Sequence, residues 1–332
     1  MSEQLMAWLT GGFFTAWFFA LGGSFGSFLN VVVWRMPRNK PLALGGSYCP
    51  KCNTPILFQD NIPILGWIKL RGRCRACALP ISPRYPIVES IAAVTFATFF
   101  LFEVVSHGAN LPNWFPKHSG DWLTELPGCE LLTVYIRHVT LLYFLFGMAL
   151  IDWDRETVPA RLTIFTLVLS FVYTLLMPES MPLSLVPGLP GLEQKTTYQT
   201  AALHWCLNAS MSLCVGLIIP AACHFASLSQ RLLMAQMLLL IGCYLGWQVS
   251  LLMTFAAILA LIAQKIQSRF PTGIALLCAV TLFLLTWGLL DKADFPFESL
   301  TLKQSYVVIG TAIVLGFLTS MATKLISRPA AA

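Results

Sequence analysis

Charge is scarce in this chain. Of 332 residues, 21 are Lys or Arg and 15 are Asp or Glu, so charged side chains make up 11% against 57% hydrophobic residues. That is too little polar surface to cover a water-soluble globule of this size, and the composition points to a polytopic membrane protein. Carboxylates are thinnest in the C-terminal half, with none between Glu193 and Asp291. Any acid–base chemistry that needs a carboxylate from that stretch is therefore excluded. The chain has no G-x-G-x-x-G run, which removes the usual strand-to-helix cradle for a nucleotide-like cofactor. The first apolar run follows Ser2 and Glu3 with no basic leader and no A-x-A end, so it is expected to stay as an anchor and not to be cleaved.

What the chain has in abundance is long apolar runs, near 5–34, 87–105, 131–151, 161–177, 200–225, 231–247, 249–266, 272–290 and 303–325. They predict an all-α polytopic fold with about eight or nine transmembrane helices. Segment 35–85 carries Arg35, Arg38, Lys40, Lys51, Lys69, Arg71, Arg73, Arg75 and Arg84 against Asp60 alone, whereas 106–130 carries Lys117 against Asp121, Glu125 and Glu130. The basic-residue asymmetry puts 35–85 in the cytoplasm. The net charge of +6 is accounted for by that topology and by attraction to anionic lipid, with no nucleic acid implied. The expected organisation is a first span at 1–34, a cytoplasmic loop at 35–85, and a second span with an external loop at 86–130. A transmembrane domain at 131–290 and a further span with a tail at 291–332 complete it.

The cytoplasmic loop contains CPKC and CRAC, so Cys49, Cys52, Cys74 and Cys77 form two C-x-x-C knuckles. Two knuckles at this separation are a zinc-ribbon signature, since four thiolates on two tight turns close a tetrahedron around one Zn²⁺. Such a site is coordinatively closed and predicts a structural metal. Before the loop, Gly22, Gly23, Ser24, Gly26 and Ser27 offer a small-residue face to another helix, with Asn30 a turn further on. After it, Pro83 and Pro86 suit the start of a helix near Pro86, which places Glu89 at the cytoplasmic mouth of the second span. A carboxylate at that depth needs a partner, for which Arg84 or a bound cation are the candidates. Asp152 lies at the membrane boundary after the third long apolar run and is a functional candidate for the same reason. The histidines of the external loop, His107 and His118, have no third ligand at metal spacing and are assigned no role.

G-S-F-L-N-V-V-V-x-R-x-P at 26–37, the two knuckles with N-I-P at 61–63 and Gly72 between them, and R-Y-P-I-V-E at 84–89 resemble the bacterial type IV prepilin leader peptidase/N-methyltransferase family. The resemblance covers about 20–105. It implies a bacterial inner-membrane protein acting on prepilin or pseudopilin, with S-adenosylmethionine as methyl donor and Gly72 and Glu89 linked to methyl transfer. The family's C-terminal half works with two aspartates. Asp152 with Pro159 matches the first; the second belongs to a G-x-G-D-x-K motif. Counting back from G-C-Y-L-G-W at 242–247 puts Arg231, Leu233, Met234 and Gln236 on the G, G, D and K positions. Ala160 and the single proline of F-P-T-G-I at 270–274 are smaller departures. Three readings follow: a methyltransferase whose peptidase half is a scaffold, a complete bifunctional enzyme that recruits Asp154 or Glu156, and a non-catalytic prepilin-binding protein serving an active relative.

Overall fold

The computed structural model describes residues 3–42, 46–49, 51–111, 128–177, 198–222, 227–266 and 271–292. The described residues are mostly helical, without strands beyond two isolated bridges. They fall into two compact units, Met1–His107 and Gly108–Ala332. The sequence-predicted span at 303–325, the tail beyond it and His118 lie outside the described residues.

In the first unit α1 (Glu3–Arg35) pairs with α3 (Arg84–Phe99), which continues as a π-helical turn through Phe100–Val105. The small-residue face explains the pairing. A Cβ on Gly22 would lie 2.7 Å from the Ala92 carbonyl oxygen, and one on Gly26 would lie 2.7 Å from Glu89 Cα, so only glycine lets the two backbones come this close. Phe18 stacks on Phe100 and Phe25 on Phe96, at 4.4 and 5.6 Å between ring centroids. Asn30 donates from Nδ2 to the Tyr85 carbonyl at 3.4 Å, so its amide closes the end of the pair from which the loop leaves. α3 starts two residues before the expected Pro86. Pro86 still lies in the first turn, where a missing N–H costs no helical hydrogen bond. Between α1 and α3 the loop holds a 3₁₀ turn at Phe58–Asp60 and the short helix α2 (Leu65–Lys69).

The second unit contains α4 (Gly128–Trp153), α5 (Ala160–Leu176), α6 (Tyr198–Ala222), α7 (Leu228–Leu245), α8 (Trp247–Ile266) and α9 (Thr272–Lys292). The inner faces of α4 and α7 form its core, with Leu141, Leu145, Met148, Met237, Leu238 and Ile241 buried. α7 begins with a capping box, in which the Ser227 hydroxyl accepts the Gln230 N–H while the Gln230 side chain accepts the Ser227 N–H. That reciprocal pair satisfies two of the helix's orphan donors and fixes where α7 starts.

Four described helices are long and apolar enough to cross a membrane, over Leu9–Arg35, Arg84–Val105, Leu131–Trp153 and Leu228–Leu245. Four shorter apolar helices, Ala160–Leu176, Ala201–Leu217, Leu252–Leu261 and Thr272–Trp287, accompany them. The chain is a helical membrane protein.

Candidate functional site

The two knuckles of the first unit are built alike. In the first, the Cys49 N–H donates to the Thr54 carbonyl and the Asn53 N–H to the Cys49 carbonyl; in the second, Cys74 N–H pairs with Leu79 and Ala78 N–H with Cys74. Antiparallel bridges Tyr48–Pro55 and Arg73–Pro80 flank them. The residue after each second cysteine takes a left-handed conformation, at φ 57° for both Asn53 and Ala78. This repeated turn aims two sulfurs per knuckle at one point. All four Sγ atoms lie within 4.8 Å of one another, with Cys49–Cys77 at 3.9 Å and Cys52–Cys74 at 4.0 Å. Thiolates at about 2.3 Å from a tetrahedral Zn²⁺ stand about 3.8 Å apart, so the donor set fits that ion in number, element and spacing.

The thiols are tuned by their own turns. Cys52 is lowered to about 6, first by the Thr54 hydroxyl and then by the Thr54 backbone N–H, and Cys74 is lowered by the N–H groups of Cys77 and Ala76. Cys77 moves the other way, to about 11. The Leu79 N–H pulls it down, but burial and the proton shared with the other three sulfurs outweigh that pull. A divalent cation held by all four sulfurs would displace the remaining thiol protons, which would link metal binding to thiol ionisation.

Arg75, inside the second knuckle, reaches back to Asp60 with two hydrogen bonds, Nε to Oδ2 at 2.5 Å and Nη2 to Oδ1 at 2.6 Å. The Asp60 side chain is 3% exposed, and Lys69 stands 3.9 Å away. The Arg75 guanidinium holds the Asp60 carboxyl below its ordinary value. Its contribution to the loop's stability is therefore present above the unfolded carboxyl value near 3.9 and is lost as pH falls through the folded one. Asp60→Asn is expected to speed protease cleavage of 35–85 at neutral pH, with the difference from wild type shrinking only as pH falls below the unfolded carboxyl value and through the lowered folded one, where the wild-type carboxyl also becomes neutral. A gap that stays constant across that pH range would remove the ion pair from the account.

Gly72 has φ +66°, and a Cβ there would meet the Trp67 ring at 2.8 Å. The indole is fixed by its own N–H, which donates to the Ile81 carbonyl at 3.1 Å, while the Ile81 N–H donates back to Gly72 at 2.7 Å. The close approach that Gly72 permits is made by Trp67. Glu89 is buried, and the backbone and a hydroxyl give it hydrogen-bond donors. Oε2 accepts the Ile64 N–H at 2.7 Å and the Ser27 hydroxyl bonds the same carboxylate. The four-cysteine loop is in this way tied to α3 by one carboxylate. Sequence spacing brought the cysteines together correctly, but it could not show Ile64 as the partner of a side chain 25 positions later.

In the second unit Asp152 sits at the end of α4, and its Oδ2 accepts the Gly273 N–H at 3.1 Å. Asp152 and the P-T-G stretch are therefore neighbours. Met234 is wholly buried in α7. Gln236, two residues on, donates to the Val158 carbonyl at 3.4 Å, so this part of α7 packs toward the loop that follows Asp152. Arg137, which sequence reading passed over, is buried in α4. Its guanidinium donates to the Tyr244 carbonyl and the Thr174 hydroxyl at 3.4 and 3.3 Å and lies 5.2 Å from the Tyr173 ring centre. An arginine inside a long apolar run was the available signal.

A membrane helix pair joined by a four-thiolate ribbon defines a narrow class of protein. Residues 20–102 match the family model described as the bacterial peptidase A24 N-terminal domain. It is 44% identical over 96 residues to the prepilin leader peptidase/N-methyltransferase of Myxococcus xanthus, covering 29% of each chain. It is 46% identical over 84 residues to the protein of that name from Klebsiella pneumoniae, or 24% of this chain and 37% of that one. With the Neisseria gonorrhoeae protein of the same name it shares 30% identity over 179 residues, 47% of this chain and 54% of the relative. The chain thus spans about half or less of the length of these curated relatives. No solved structure matches it.

Proposed function

We propose that this chain is an inner-membrane N-methyltransferase of processed type IV pilins or type II secretion pseudopilins, with S-adenosylmethionine as donor, in which the peptidase half serves as a scaffold. The observation that carries the reading is the intact first unit, where the cysteine centre, Gly72 and Glu89 are joined in one folded loop within the matching stretch. Eight or nine spans and a cytoplasmic ribbon follow from the apolar runs and the basic-residue asymmetry. S-adenosylmethionine would supply an electrophilic methyl group to the pilin's terminal amine. The described residues contain no strand-to-helix turn to hold it, and no residue is assigned that task. Glu89 is the carboxylate proposed to face the cationic donor or the pilin ammonium.

The test is methyl transfer from labelled S-adenosylmethionine to a pre-cleaved pilin, with the protein in detergent. Wild type is expected to label the pilin amine. Glu89→Gln keeps an oxygen that can accept the Ile64 N–H but removes the charge; it should lower transfer about a hundredfold while zinc content and protease resistance of the loop stay unchanged. Glu89→Ala should lose both. Undiminished transfer in Glu89→Gln would reduce Glu89 to an anchor. Pilin binding without transfer, where an intact relative methylates the same substrate, would favour a non-catalytic binding protein.

A further inference from the structure

The segment that carries Ile64 lies unusually deep for a cytoplasmic loop. A Cβ on Gly23 would be 3.5 Å from Pro63, and Gly23 lies twelve residues before the end of α1 at Arg35, about 18 Å along the helix axis. On the other helix, Ile64 bonds to Glu89, five residues into α3 and about 8 Å from its start. At this level the chain turns back on itself. The Leu65 N–H donates to Pro63 at 2.6 Å across Ile64, whose φ 63° and ψ −55° are those of a tight three-residue turn that branched side chains seldom adopt. The Gly66 N–H takes the Ile62 carbonyl, and Glu89 takes the N–H of Ile64. Irregular backbone at membrane depth must have its polar groups satisfied within the protein, and here the donors from Ile64 to Gly66 are.

The side chains around this turn have the corresponding polarity. Phe58 is 90% exposed, Leu65 62% and Ile68 58%. Lys69, Arg71 and Arg73 beside them are exposed as well, while the sole carboxylate of 35–85, Asp60, is buried against Arg75. We propose that residues 57–69 form a re-entrant interfacial segment docked in the cytoplasmic leaflet of an anionic bilayer. Phe58, Leu65 and Ile68 lie among the acyl chains, and Lys69, Arg71 and Arg73 meet the headgroups. Glu89 has a positioning role in this arrangement, holding the one turn donor that has no backbone partner. The proposal needs only a membrane-spanning α1 and α3 and stands apart from the methyltransferase reading.

The test places p-benzoylphenylalanine at Phe58, Leu65 or Ile68 of the full chain, reconstituted in vesicles of phosphatidylethanolamine and phosphatidylglycerol. The same probe at the exposed Phe28 of α1 is the lipid-facing reference, and at the exposed Lys51 of the first knuckle the water-facing one. Mass analysis after illumination is expected to find lipid adducts at all three positions, comparable to Phe28 and about tenfold above Lys51. Changing Lys69, Arg71 and Arg73 together to Gln should lower the adduct yield at Ile68, more in phosphatidylglycerol-rich vesicles than in neutral ones. Yields at the Lys51 level while Phe28 is labelled would overturn the proposal. Adducts to residues 108–332 or to an added prepilin in place of lipid would do the same.

Discussion

Given a prepilin with its basic leader, the protein is expected to release no leader peptide. Aspartic proteolysis needs two carboxylates that share a proton, one acting as base toward water and the other donating to the scissile carbonyl. Asp152 is present and held by Gly273, but the counted position of its partner is Met234, whose thioether can neither take nor give a proton at any useful pH. Losing a general acid or base costs on the order of a hundred- to ten-thousandfold, which puts cleavage below detection in an ordinary gel assay. Met234→Asp is not expected to restore it. Met234 is wholly buried, so the new carboxylate would enter an apolar helix face at a penalty of several kcal/mol, and the flanking Leu233 and Gln236 also depart from the family motif. Efficient cleavage that disappears in Asp152→Asn would show instead that Asp154 or Glu156 completes the pair.

The purified protein is expected to carry about one zinc per chain, and Cys74→Ser, or Cys49→Ser, is expected to remove essentially all of it. A serine hydroxyl is a poor substitute for a thiolate, and three remaining sulfurs leave the tetrahedron open. The loop between α1 and α3 has little apolar core of its own, so the free energy of binding the metal, about 10–16 kcal/mol for isolated zinc modules, is also the free energy that folds it. Metal analysis should therefore fall together with protease resistance of 35–85, while α1 and α3, held by their own glycine contacts, stay paired. Gly72→Lys makes a useful contrast. It displaces the Trp67 ring without touching a ligand, so it should loosen the loop yet leave zinc bound. Full zinc in both cysteine variants would refute the centre.

Much of this was visible before any coordinates. Long apolar runs announce helices because hydrocarbon tolerates no other local solution, and eight of the predicted runs coincide with helices from α1 to α9. The cysteine spacing announced its tetrahedron because both turns are local. What stayed hidden were pairings made across distance by backbone atoms. Glu89 finds the Ile64 N–H, Arg137 finds the Tyr244 carbonyl, and a backbone group has no signature in residue type. Gly72 was legible as part of a motif, yet its neighbour was not, since an indole five residues away looks from the sequence like any other apolar residue. The start of α3 at Arg84 shows the usual uncertainty of proline near a helix end.

The knuckles also make the 21 residues between Cys52 and Cys74 into a closed ring, fastened where the four sulfurs meet and pinned to the membrane helices through Pro63 and Ile64. A ring of this kind is forgiving in circumference, since doubling its length costs only about 0.6 kcal/mol in closure entropy. It is unforgiving in phase: the turn at Ile64 must arrive beside Glu89 whatever lies on either side. Insertions between Ile56 and Phe58, beyond the hydrogen bonds of the first knuckle, are therefore absorbed as slack, whereas a single residue added between Asn61 and Leu65 moves the turn out of reach of its carboxylate.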